Sequence, residues 1–239
     1  SYDKQAGSEL RQKTDQHKLY YHKIGTTQAD DLKIYGHTDV EKHRYIGAQV
    51  SEDDRFLLVS AANSTSGNRA FLKDLSNPNA GWKTVIETTD NDVSMLTNKG
   101  DSLYLTTNHN ALNSKVVVVD AKAPNVENWK DLIPETTNVL SPSSAGGYIF
   151  AEYMVDAISK VYQYNLEGKQ LRTIEMPGIG SAGFGGDKLD VTTSYYTFSN
   201  YITPPSIYSL DIATGESTLF NKPASTFDGS TFVSKQVFY

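Results

Sequence analysis

The chain has 239 residues, more than the usual single domain but within reach of one large all-β domain. Its 22 Lys and Arg against 28 Asp and Glu give a net charge of -6, which argues against nucleic-acid binding because that needs a basic patch. The lack of cysteine excludes disulfides, thiolate catalysis and Cys-type zinc sites, and no apolar run approaches the roughly 20 residues of a membrane helix.

Short segments in which apolar and polar residues alternate recur along the chain and predict β-strands. Two of them come early, at 17–22 and 32–35. The clearest later ones are 56–60, 103–107, 149–153 and 191–195, whose starts lie 47, 46 and 42 residues apart. A regular spacing of this kind indicates an internal structural repeat.

A second marker repeats with the same period, since a predicted strand ends in Asp or Asn four times. These residues are Asp74, Asp120, Asn165 and Asp211, with spacings of 46, 45 and 46 residues. Each is followed by a turn and one more short strand, at 82–86, 129–133, 170–174 and 217–220. An Asp or Asn at such a position accepts backbone N–H bonds in the turn, which explains the recurrence without any catalytic role.

Four strands in about 46 residues is the period of a β-propeller blade. The sequence therefore predicts an all-β protein, a β-propeller with about five four-stranded blades. The predicted parts are an incomplete blade 1–44, blades 45–91, 92–135, 136–177 and 178–225, and a terminal strand 226–239. The chain starts without Met and stops inside that last strand, so we expect a fragment of a longer protein.

The sequence marks no catalytic residue, metal site or cofactor. The stretch 178–183 spells G-x-G-x-x-G, but Phe184-Gly185-Gly186-Asp187 follows where a dinucleotide site needs a helix, so a turn between blades is predicted. None of the five histidines lies in a His-Glu-x-x-His pattern, and His17 and His22 point to opposite faces of one strand. Acidic clusters at 30–31, 52–54 and 90–92 fall in predicted turns, where Asp is favoured.

The polar loop at 61–69, named here the 61–69 loop, links two strands of one predicted blade. Side chains near the ends of inner strands can line the central tunnel of a propeller. The candidate substrate-cavity residues are therefore Ala62, Asn63, Thr65, Asn68 and Arg69. A plain hairpin without a binding role is the alternative interpretation.

Several segments carry a family resemblance, in collinear order over nearly the whole chain: 17–22, 25–31, 51–58, 68–69, 129–135, 195–199 and 236–239. Together they resemble the prolyl oligopeptidase (prolyl endopeptidase) family of serine peptidases. The resemblance implies a seven-bladed propeller that caps an α/β-hydrolase domain, with this chain forming only the later blades of an incomplete ring. The nucleophilic Ser, the Asp and the His of the family would then lie beyond Tyr239.

On this resemblance the chain alone is non-catalytic, and its partner is the C-terminal α/β-hydrolase domain of the same parent chain. The propeller walls the cavity and admits short proline-containing peptides, which the hydrolase domain cleaves after proline. In the family, the loop that matches the 61–69 loop carries an Arg and a Cys that face the substrate. The corresponding neighbourhood here reads Ala62 and Thr65 and has neither.

Two other functions stay open at this point. A stand-alone propeller that acts as a protein-binding scaffold would need complete blades at both ends. A propeller glycosidase would need acids at the inner-strand starts of several blades, whereas the acids lie mainly in turns. An open arc of blades would also leave two blade faces bare, and a two-fold homodimer is the simplest arrangement that covers both.

Overall fold

The computed structural model describes residues 7, 11, 16–225 and 228–238. In this part of the chain the regular structure consists of β-strands and four short 3-10 turns, at Gln28–Asp30, Asp39–Glu41, Val126–Asn128 and Gly229–Thr231. The chain divides into two compact units, which are Ser1–His109 with Val118–Lys130, and Asn110–Val117 with Asp131–Tyr239. An all-β fold is thereby confirmed.

The first strands, β1 (Leu19–Tyr21) and β2 (Leu32–Tyr35), pair antiparallel in a two-stranded sheet. The next sheet contains β3 (Tyr45–Val50), β4 (Phe56–Ala62), β5 (Arg69–Asp74) and β6 (Lys83–Ile86). It is followed by β7 (Val93–Lys99), β8 (Ser102–Thr107), β9 (Lys115–Asp120) and β10 (Lys130–Ile133).

The last two sheets have the same organisation. One contains β11 (Leu140–Ala145), β12 (Tyr148–Val155), β13 (Ile158–Tyr164) and β14 (Gln170–Ile174). The other contains β15 (Ser181–Phe184), β16 (Thr193–Asn200), β17 (Thr203–Asp211) and β18 (Ser217–Asn221). In all four four-stranded sheets the spatial order of the strands equals their order in the chain, which is the meander found in propeller blades.

The predicted repeat is present, with one strand displaced. The second strands of the four sheets begin at 56, 102, 148 and 193, so the spacing is 46, 46 and 45 residues. The predicted start at Val191 is wrong, because the ladder with β17 begins at Thr193 and the preceding Thr192 carbonyl instead accepts the N–H of Ile212 at 3.0 Å.

The turn role of the recurring Asp and Asn is confirmed at all four positions. Each side chain accepts a backbone N–H two to four residues further along, at 3.0 Å for Asp74, 2.7 Å for Asp120, 2.7 Å for Asn165 and 2.8 Å for Asp211. The repeat is thus maintained by turn geometry rather than by a shared catalytic function.

Among the described residues the first sheet has two strands, as expected for an incomplete first blade, and four four-stranded sheets follow it. The end of the chain differs from the expectation. The terminal strand over 226–239 is wrong as far as it is described, because residues 232–238 join no sheet and strand structure requires a ladder partner. Tyr239, at the end of that predicted strand, lies outside the described residues.

The core of the second unit lies between its two complete sheets. Buried side chains from both sheets form one cluster that includes Phe150, Val161, Tyr196, Phe198 and Leu210. The rings of Phe184 and Tyr196 stack at 4.6 Å, and Phe184 also stacks on Phe150 at 5.7 Å. Side chains alternate between the two faces of a strand. Tyr196 and Phe198 on β16 are therefore buried, while Tyr195 on the opposite face is exposed.

Candidate functional site

The 61–69 loop lies in the first unit and joins β4 to β5. Ala62 is the last residue of β4 and is partly buried, whereas Arg69 is the first residue of β5 and is exposed. Asn63 and Thr65 lie in the exposed turn between them. The loop therefore presents a polar surface on which Thr65 and Arg69 are accessible.

One end of the loop is attached to the chain segment that enters β3. The side-chain oxygen of Asn63 accepts the backbone N–H of Arg44 at 3.1 Å. The carboxamide of Asn63 is thus engaged in holding the loop, and this role requires an acceptor that reaches across the sheet end. Sequence reasoning proposed Asn63 for the cavity and had no signal for this contact.

The other end of the loop is attached to the start of β7. Asn68 accepts the N–H of Val93 at 2.9 Å and donates its amide to the carbonyl of Val93 at 3.1 Å. Gly67 donates its N–H to Asp92 at 2.8 Å with φ of +74°, and a Cβ there would lie 1.8 Å from the Thr89 carbonyl oxygen. A glycine is required at this position because both the backbone conformation and the space exclude a side chain.

Arg69 lies close to two buried titratable side chains that sequence reasoning did not single out. Burial raises the pKa of Tyr35 to about 12, with Glu41 adding to the rise and Arg69 opposing it. Burial also lowers the pKa of His43, and the positive charge of Arg69 lowers it further, against opposing effects of Asn63 and Glu41. Both side chains are therefore neutral near pH 7, and Arg69 and Glu41 are the charged groups that act on them.

A polar network that was also missed extends from the start of β7 to the end of β8. The Asp92 N–H is donated to Asn108 at 2.7 Å, and a ring nitrogen of His109 lies 3.0 Å from the side-chain oxygen of Asn91. These residues belong to loops whose turn composition is the only signal in the sequence. Their contacts are mutual, so the network orders the loops beside the candidate residues.

In the second unit, the stretch spelled G-x-G-x-x-G leads into β15 at Ser181 rather than into a helix, which confirms the predicted turn. A Cβ on Gly180 would lie 2.4 Å from the carbonyl oxygen of Ser199, so this glycine permits a close approach of two backbones. The glycines here serve strand packing, and the stretch lacks the helix that holds a pyrophosphate.

Glu152 on β12 is the one acidic side chain among the buried residues of the described part. The hydroxyl of Ser159 donates to its carboxyl at 2.7 Å and accepts the N–H of Ala182 at 2.9 Å. Burial raises the pKa of Glu152, opposed by the bonds from Ser159 and from the backbone of Phe184. The carboxyl thus links β12 and β13 to β15 inside the second unit.

The described residues contain no group of three or more His, Cys, Asp or Glu side chains placed to hold a metal ion. No helix in the described part of the chain is long and apolar enough to cross a membrane. The shortest histidine–carboxylate contact there is His22 with Asp31 at 2.6 Å, on the surface.

The four-stranded meanders are propeller blades, and similar proteins show which family of propellers the chain belongs to. The model of the N-terminal β-propeller domain of prolyl oligopeptidase matches residues 1–223. The chain belongs to this family, which confirms the resemblance read from the sequence.

The relatives and solved structures agree with this assignment. The chain is 46% identical over 241 residues to a prolyl endopeptidase of Elizabethkingia meningoseptica, covering all of this chain and 34% of the relative. It is 29% identical to the dual function macrocyclase-peptidase of Galerina marginata, covering 92% of this chain and 32% of that one. The chain thus spans about a third of the length of the curated relatives it matches.

Two solved structures extend the likeness to three dimensions. One, from a structural and mechanistic study of two prolyl endopeptidases, has a TM-score of 0.81 at 28% identity and covers 93% of this chain and 32% of that chain. The other is prolyl oligopeptidase B from Galerina marginata bound to a 35mer substrate, with a TM-score of 0.85 at 26% identity over all of this chain and 34% of that chain.

Proposed function

We propose that the chain is the non-catalytic propeller portion of a serine peptidase that cleaves after proline, and that it controls which peptides reach a separate hydrolase domain. The observation that carries this proposal is the family match over residues 1–223 in a chain that spans a third of its relatives. The proposed partners are the C-terminal α/β-hydrolase domain of the same parent chain and short proline-containing peptides.

The 61–69 loop is the proposed peptide-facing element of the propeller. Its two ends are held by Asn63 and Asn68, so the exposed side chains of Thr65 and Arg69 stand on a fixed base. A loop fixed at both ends can select by size, because a substrate cannot push it aside without breaking these hydrogen bonds. Ala62, beside the turn, would shape the wall through its small side chain.

The test uses the parent peptidase with Thr65→Trp in the loop and Glu167→Trp as the matched control, in the exposed turn between β13 and β14. The ratio of kcat/KM for a short and a long proline-containing peptide is measured for each variant. Thr65→Trp should lower kcat/KM for the long peptide more than for the short one, and the control should leave the ratio unchanged. An unchanged ratio in Thr65→Trp at normal stability would refute the assignment of this loop.

A homodimer of the chain on its own is part of the proposal. The outward face of the last sheet exposes Tyr195, Ile207 and Phe220. Apolar faces of this kind are usually covered in soluble proteins, and a two-fold pair of copies would cover them. Light scattering gives the molar mass: twice the chain mass supports the pair, and a single chain mass at all concentrations excludes it.

A further inference from the structure

The first unit places two histidines where the β1–β2 pair packs on the sheet β3–β6. We call such a contact between two sheets a seam. Apolar contacts form the centre of this seam, in which buried Tyr35 clusters with Val59 and Ala61. The Tyr35 ring stacks on Phe71 at 5.7 Å and meets the edge of Trp82 at 5.5 Å. The histidines lie at the end of this seam, in the segments that lead into β1 and β3.

His17 makes a hydrogen bond that only its neutral ring can make. Its Nδ1 accepts the backbone N–H of Ile46 in β3 at 3.1 Å, and its own backbone N–H is donated to the carbonyl of His43 at 2.9 Å. A protonated imidazole carries hydrogen on both nitrogens and cannot accept. Protonation of His17 would therefore break the bond that joins it to β3.

His43 is held in a position that excludes its charged form. The residue is 3% exposed, and both ring nitrogens are buried without a well-formed hydrogen bond in the described part of the chain. The Asn63 side chain is the nearby group that favours the charged ring by hydrogen bonding, and burial and Arg69 outweigh it. A buried charge without a partner costs far more free energy than a buried neutral ring. Protonation of His43 would therefore favour a state in which the ring reaches water.

The charged groups around the two rings add to this preference. The titratable and charged side chains that line the small cavity of about 150 Å³ beside His17 are Lys18, Lys33, Lys42, Asp39, Glu41 and His37. On the side of His43, Arg69 repels a proton and Arg44 is the next residue in the chain, while Tyr35 is uncharged near pH 7. One oxygen of Glu41 already accepts the backbone N–H groups of Gly36 at 3.1 Å and His37 at 2.5 Å.

We propose that His17 and His43 form an acid-sensitive clasp that holds the β1–β2 pair and the 61–69 loop on the sheet β3–β6. The loop is included because Arg44, next to His43, donates its N–H to Asn63 at 3.1 Å. Displacement of the 43–46 segment would remove that anchor. The proposal concerns the fold of this chain and does not depend on the proposed control of peptide entry.

The direction of the pH effect follows from the shifts of both histidines. Burial is the main cause that lowers the pKa of each ring below its ordinary value of about 6.5. The unfolded chain then binds more protons than the folded chain in the range just below that value. The clasp is therefore intact above about pH 6.5 and loses stability as the pH falls below it.

The test is hydrogen–deuterium exchange of the full chain at about pH 7.5 and about pH 5.5, corrected for the intrinsic pH dependence of exchange. Peptides from β1, β2, the 36–46 segment and the 61–69 loop should exchange about tenfold faster at the lower pH. Peptides from the second unit outside β12, β13 and β15, the strands that Glu152 and Ser159 link, serve as the internal reference, because this unit contains no histidine. Equal protection of the first-unit peptides at both pH values would overturn the clasp.

Variants separate the clasp from a general acid effect. His17→Asn keeps a short side-chain acceptor that cannot titrate, and His43→Leu replaces the buried ring with an apolar side chain. The double variant should show no pH-dependent difference, while the exposed control His37→Asn should retain the wild-type response. A response that persists in the double variant would overturn the proposal.

If the double variant fails to fold, the wild-type chain still decides the question. Proton NMR of the imidazole signals should show two of the five histidines titrating below about 6.5, in the same pH range in which exchange accelerates. Ordinary titration of all five rings in the folded chain would contradict the clasp.

Discussion

In the first unit, the seam between the β1–β2 pair and the sheet β3–β6 contains His17 and His43, whose neutral forms the fold favours. In the second unit, the seam between the sheets β11–β14 and β15–β18 contains Glu152, whose pKa is raised by burial. Both seams favour an uncharged polar group, but the two residue types respond to pH in opposite directions. Acid destabilises a neutral buried histidine, whereas it stabilises a neutral buried carboxyl.

The comparison shows that the blade repeat does not determine the chemistry of the seams. The strands and the Asp or Asn turns recur with the same period in both units, while the polar residue enclosed between sheets differs. A propeller can therefore keep one architecture and vary how each pair of blades responds to its surroundings.

The largest expected effect tests whether the aromatic packing of the second unit supports its seam. Phe150→Ala should lower the free energy of unfolding by about 3–5 kcal/mol, because it removes a ring buried against Phe184 and leaves a cavity. Urea denaturation measures the change. Tyr201→Ala, at a fully exposed position, is the control and should change stability by less than about 0.5 kcal/mol. Similar losses in both variants would show that the seam is not the source of stability.

A smaller effect tests the opposite signs of the two seams. The folded pKa of Glu152 is raised, so its favourable contribution is present at low pH and is lost as the pH rises through that value. The second unit of the wild-type chain should therefore lose protection from hydrogen exchange on going from acid to neutral pH. Glu152→Gln should not show this loss. Hydrogen exchange of β12 and β15 peptides measures it, with Glu175→Gln as the exposed control. A wild-type second unit that gains protection as the pH rises would contradict this assignment.

The smallest effect concerns the ion pairs at the turns of the first unit. Arg55 contacts Asp101 at 2.6 Å and Asp74 at 3.2 Å, but all three side chains are partly exposed. Such pairs contribute little because water and salt screen them. Arg55→Gln should therefore lower the melting temperature only slightly, and added salt should abolish the difference. A loss comparable to that of Phe150→Ala would mean that these charges, rather than the seams, support the unit.

The sequence predicted the parts of the fold that depend on local pattern. The period of the strands and the turn role of Asp74, Asp120, Asn165 and Asp211 follow from alternation and turn chemistry, which act within a few residues. The predicted terminal strand is not formed in the described residues, because a strand also needs a neighbour to pair with.

The features of the candidate site that were missed depend on contacts distant in the chain. The burial of His43 and of Glu152 results from packing between sheets, and no spacing in the sequence marks it. Asn63 and Asn68 were chosen as cavity residues, and the structure shows that their amides bind backbone groups of Arg44 and Val93. The assignment of Ala62, Thr65 and Arg69 to a peptide-facing wall stays a prediction.

The central claim is that this chain controls access and performs no peptide cleavage itself. The direct measurement is the release of a fluorophore from a proline-containing peptide by the purified chain, with the parent peptidase as the positive control. The account predicts only background release from the chain and rapid release by the parent protein. Release that co-purifies with the chain and is lost on substituting one of its own residues, in a variant that stays folded, would contradict it.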